Sequence, residues 1–109
     1  MIQKIVIAIL LTFCGGSIFG QTTGRISGQV LDQSQASVPG ATVTAENTAT
    51  GERRDVQTDQ QGRYVFADLS VGTYKVTVEA KGFQSQVRPD LRLNVASTLV
   101  ADFTVAAGR

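Results

Sequence analysis

The 109-residue chain has no histidine and no tryptophan, a single cysteine at position 14 and two prolines. Each gap removes a class of chemistry. Without histidine there is no imidazole base, so every histidine-based catalytic triad is excluded, and zinc centres assembled from His and Cys lose their ligands with it. With Cys14 alone no intrachain disulfide can form, and the fold has to be held by its core. Charge is equally sparse: 17% of residues are charged and the formal net charge is +1. Setting aside Lys4 in the amino-terminal segment leaves nine basic and nine acidic side chains. A surface so balanced carries no electrostatic footprint for nucleic acid or an anionic membrane. Beyond the first twenty residues, no stretch has the 3.6-residue apolar period of an amphipathic helix.

What is present begins with the segment MIQKIVIAILLTFCGGSIFGQTTG, which has one cation at Lys4, an apolar run from Ile5 to Phe13, then small and polar residues. This is the three-part layout of a secretory signal peptide. A membrane span needs about 20 apolar residues, and Gly15-Gly16 interrupts this run first. Residues 1–20 are therefore read as a cleavable signal helix, with the cut expected after Gly20. Cys14 raises a lipoprotein alternative, against which stands bulky Phe13, where that processing takes a small residue. Export places the mature chain in the periplasm, at the outer membrane or outside the cell, with no membrane span after cleavage.

The remainder reads as strands separated by turns. Tyr74, Val76, Val78 and Ala80 alternate with Lys75, Thr77 and Glu79, the period of two that puts one set on a buried sheet face. Arg63 to Phe66 repeats the pattern with Tyr64 and Phe66 inward. With Leu69 to Gly72 as the connection, the two segments are expected to pair as a β-hairpin carrying an aromatic cluster. Ahead of it lie a strand at Arg25–Asp32, a Pro39-Gly40 turn, a strand at Ala41–Glu46 and a charged edge strand at Glu52–Thr58, whose Arg53, Arg54 and Asp55 discourage pairing with other chains. Behind it, Pro89 separates a polar segment from a strand at Leu91–Val95, and Ala96–Thr98 reverses the chain into a final strand with Leu99, Ala101, Phe103 and Val105 inward. Turn signals recur about every 8–12 residues, as in an all-β sandwich or barrel. The expected fold is a seven- to eight-stranded antiparallel β-sandwich over residues 21–105, with 106–109 as a tail or the start of a linker.

Several of these residues fall into a familiar order: Ile26-Ser27-Gly28-Gln29-Val30 with Asp32, Val38-Pro39-Gly40-Ala41-Thr42-Val43, Thr58-Asp59 with Gly62-Arg63-Tyr64 and Phe66, Leu69 with Gly72-Thr73-Tyr74 and Val76, and Gly82-Phe83. Together they resemble the carboxypeptidase regulatory-like family, which has the transthyretin-like, or prealbumin-like, β-sandwich. The resemblance covers Gly24 to Val105. It implies an accessory domain, and in bacteria such domains are similar to the amino-terminal periplasmic module of TonB-dependent outer-membrane receptors. The implied partner is a protein, either the receptor's own plug and barrel or another envelope component. Unlike those receptors, the chain reaches Arg109 without a plug or barrel.

Candidate chemistry is thin. Asp59-Gln60-Gln61-Gly62 has some look of a calcium loop but lacks the alternating oxygen ligands and closing glutamate. Asp59 is better read as accepting backbone hydrogen bonds in a turn, with Gly62 supplying positive φ. The isopeptide bond of some related pilin and adhesin domains needs a first-strand lysine, where this chain has Arg25. Lys75 and Glu79 read as solvated partners on the outer face of their strand. Sugar platforms expose aromatic rings, and here the tyrosines and phenylalanines are in phase with the core. No catalytic, cofactor-binding or metal-binding residue is assigned, and no cofactor is expected. The reading is a non-enzymatic interaction or spacer domain, with a carbohydrate-binding module of the starch-binding-like fold as the alternative.

Overall fold

The computed structural model describes residues 22–108. The segment read as a signal peptide, its expected cleavage point before Gln21, and Arg109 lie outside the described residues. Among the described residues there are eight strands: β1 (Thr23–Asp32), β2 (Thr42–Asn47), β3 (Arg53–Gln57), β4 (Arg63–Ser70), β5 (Gly72–Glu79), β6 (Gln86–Leu93), β7 (Thr98–Val100) and β8 (Phe103–Val105). They form two four-stranded sheets, as an all-β sandwich requires. One has the order β4-β1-β7 with β8 also on β1, and the other has the order β3-β2-β5-β6.

Strand phase follows the alternation in the sequence. Val43 and Ala45 from β2, Tyr64 and Phe66 from β4, Tyr74, Val76 and Val78 from β5, and Phe103 and Val105 from β8 are all buried, joined by Ile26 and Val30 from β1. Their inward rows interdigitate between the sheets, where removal of apolar surface from water supplies the main driving force. Tyr64 and Phe66 meet edge-on, with centroids 5.8 Å apart and planes at 68°.

Strand partnership departs from expectation in three places. β4 and β5 do not pair as a hairpin. A single residue, Val71, separates them, and the chain crosses there from one sheet to the other, so that β4 pairs with β1 and β5 lies between β2 and β6. β4 also runs past Phe66 to Ser70, because Ala67 and Asp68 together oppose Arg25 in a bulge, which brings Leu69 back to the interior. A bulge of that kind shifts the inward spacing from two residues to three and hides the strand from a period-two reading.

Pro89 does not end a polar segment. It lies inside β6, where Pro89 and Asp90 together oppose Lys75 in a second bulge. β6 is an edge strand, the place where a residue without an N–H is tolerated. The strand stops at Leu93, which is buried, while Val95, expected inward, is 54% exposed. Finally, the last strand is divided into β7 and β8, and both run parallel to β1. The remaining pairings are antiparallel.

Candidate functional site

β3 stands at the end of its sheet, paired with β2 alone among the described strands. The backbone bonds from Asn47 N–H to the Glu52 carbonyl and from Thr58 N–H to the Ala41 carbonyl fix which residues face β2. In an antiparallel ladder these bonded pairs recur every second residue. Arg54 and Val56 therefore turn their backbone groups towards β2, and Arg53, Asp55 and Gln57 turn theirs outward. All of β3 except Val56 is exposed. Cross-strand, the Thr44 hydroxyl donates to the Asp55 carboxylate at 2.8 Å.

Both ends of this edge are fixed. At one, Asn47 is buried and its Oδ1 accepts from the N–H groups of Ala49 and Thr50, closing the turn into β3. At the other, buried Thr58 donates its hydroxyl to the Val38 carbonyl at 2.7 Å and accepts from the Ala41 N–H at 2.9 Å. Neither role was legible from hydropathy, since both residues are polar and occupy turn-like stretches. Thr58 is signalled only by its place beside Asp59 in the family pattern.

The Asp59 turn is as expected. The carboxylate accepts from the N–H groups of Gln61 and Arg63, both at 2.9 Å. The bond from Arg63 leads the causes that hold its pKa below the ordinary carboxylate value. Gly62 has φ 76°, and a Cβ there would come within 2.5 Å of the Val30 carbonyl.

The other carboxylates are dispersed. Asp32 closes its own turn onto Ser34 and Ala36, and Asp102 accepts from the Gln29 N–H at 2.9 Å. Glu46, not Glu79, is the partner of Lys75, across the β2–β5 pair at 3.6 Å. Among the described residues no three His, Cys, Asp or Glu side chains come together in a metal-binding group.

Two arginines tie the sheets together at their open sides. The Arg54 guanidinium reaches from β3 to the carbonyls of Ala67 and Asp68 in the β4 bulge, at 2.6 and 3.1 Å. On the opposite side, Arg88 of β6 donates to the Asp102 carbonyl at 2.7 Å and lies 4.8 Å from the centroid of the Phe103 ring. Shallow clefts mark the surface. One of about 180 Å³ lies on the outer face of β2 and β5 between Glu46, Arg53 and Lys75. Another, of about 230 Å³, lies between Pro39, Lys81 and the half-buried Phe83. The phenol of Tyr64 is buried and donates to the Ala101 carbonyl, and the phenol of Tyr74 donates to the Ser70 carbonyl. These rings form no exposed platform.

This two-sheet sandwich defines a class of β-domain, and the sequence places the chain within it. Residues 25–106 match the model of the carboxypeptidase regulatory-like domain, and the chain belongs to that family. It is 40% identical over 50 residues to the serine-aspartate repeat-containing protein D of Staphylococcus aureus, a match covering 46% of this chain and 4% of that protein. Among solved structures, the Bacillus anthracis TIE protein superposes with a TM-score of 0.68 at 18% identity, over 80% of this chain and 17% of that one. A putative carbohydrate binding protein from Bacteroides uniformis superposes with a TM-score of 0.63 at 22% identity, over 78% of this chain and 42% of that one. At such identities the structural matches speak for the fold. In each case this chain spans a minor part of the protein it matches.

Proposed function

We propose that this chain is a non-catalytic, exported interaction and spacer domain, the amino-terminal periplasmic module of a TonB-dependent outer-membrane receptor or a derivative of one. The observation that carries the interaction reading is the β3 edge, an exposed strand whose outward groups at Arg53, Asp55 and Gln57 are framed by two fixed turns. Such an edge takes an extended segment of another protein by strand addition, with main-chain hydrogen bonds for affinity. The absence of histidine from the sequence supports a binding role over catalysis. The leader-like residues 1–20 support export.

The test uses photo-crosslinking residues at positions 53 and 57 in the cell envelope. A discrete protein adduct is expected at both. Asp55→Pro should abolish it while the domain stays folded, because that N–H faces outward and an edge strand accepts proline there. No adduct, or an adduct indifferent to Asp55→Pro, overturns strand addition. Micromolar oligosaccharide binding that is lost in a folded Tyr64→Ala or Tyr74→Ala variant would put the carbohydrate-binding reading in its place.

A further inference from the structure

Among the described strands β1 is the first and β8 the last, and they lie side by side and parallel. Arg25, Ile26 and Ser27 face the residues 73 positions later along β7, and Val30, Leu31 and Asp32 face those 73 positions later along β8, in the same register. The interruption at Ala101 and Asp102 does not break the ladder. The Ala101 N–H donates to the Ser27 carbonyl at 2.8 Å, and the Asp102 carboxylate takes the Gln29 N–H at 2.9 Å in place of a backbone acceptor. Gly28 is required at this gap, since a Cβ would come within 1.9 Å of the Ala101 carbonyl oxygen. β1 is held from its other side by β4.

Because the two strands are parallel, β1 begins at one end of the sandwich and β8 finishes at the other. A pull on the two chain ends in opposite directions runs along both strands. The hydrogen bonds between them, which lie across the strands, are then sheared together instead of opening one after another. The same bonds pulled apart from one end would open in sequence. We propose that this domain bears tension: it is a mechanical clamp that resists stretching through its termini, with β1 against β7–β8 as the clamp and Asp102 as the stitch across its gap. The inference rests on the spacer part of the reading above, because a spacer is the role in which a domain is pulled by its ends.

The test is single-molecule force spectroscopy on residues 22–109, within which the whole described core closes. This segment contains no cysteine, so handles can be attached at chosen pairs of positions. Pulling through Thr22→Cys and Arg109→Cys loads β1 against β8 in shear. Pulling through Gln33→Cys and Arg109→Cys grips the same two strands at one end and unzips them. At equal loading rate, the first pair should need at least about twofold more force than the second, since forced unfolding follows the barrier along the direction pulled. Asp102→Ala should lower the shear force and leave the unzipping force unchanged, because unzipping opens the bonds of Ala106 and Gly108 to Gln84 and Gly82, and then the β8 rows, before it reaches Asp102. Equal forces in the two directions, or an Asp102→Ala loss that is the same in both, overturn the clamp. Failure here leaves strand addition at β3 standing, and failure of the crosslinking test leaves the force ratio unaffected.

Discussion

Tyr64 links the core to the seam between the last two strands. Its ring packs against Phe66 and its hydroxyl donates to the Ala101 carbonyl, beside the gap bridged by Asp102. Burial, assisted by the neighbouring Asp102 carboxylate, raises the phenol pKa above its ordinary value of 10.0, with Arg88 acting in the opposite sense. Folding therefore favours the protonated phenol. Its contribution to stability is complete below pH 10.0 and is lost as the pH rises through the folded-state value. Tyr64→Phe should cost about 1–2 kcal/mol at neutral pH, and should flatten the alkaline limb of a stability profile measured by denaturant titration between pH 8 and about 11. An unchanged alkaline limb would assign that limb to other groups.

At the scale of the strand, burial phase sets the energetics. Phe66 and Val76 are fully enclosed, whereas Lys75 and Glu79 face solvent. Truncating either of the first two to alanine should destabilise by about 2–4 kcal/mol, and Lys75→Ala or Glu79→Ala by less than about half a kcal/mol. Equal losses in chemical denaturation would invert the phase. Phase of this kind is legible in the sequence wherever alternation is unbroken, as in β2, β5 and β8. Partnership is not. Nothing local distinguishes a hairpin connection from the crossing at Val71, because both need a short break between two apolar alternations. Bulges defeat the reading in another way, since Ala67-Asp68 and Pro89-Asp90 each add a residue that shifts the inward row. The charged edge at β3 and the Asp59 turn were legible because each rests on local chemistry. The buried roles of Asn47 and Thr58, and the reach of Arg54 and Arg88 between sheets, depend on tertiary neighbours.

For the molecule as a whole, the export reading makes a direct demand: mass spectrometry of the secreted or periplasmic protein should find Gln21 at or near its amino terminus. An intact Met1 would contradict export, and a lipid on Cys14 would replace cleavage before Gln21 with lipoprotein processing. The antipodal exits of β1 and β8 carry a consequence for reach. β1 alone is ten residues long, about 30 Å of extended chain, and a chain that enters at one pole and leaves at the other advances by that distance with each module. Sandwiches whose first and last strands run antiparallel return the chain to where it started and add bulk without height. Joined in series, copies of this domain would build a stalk whose height the number of copies sets.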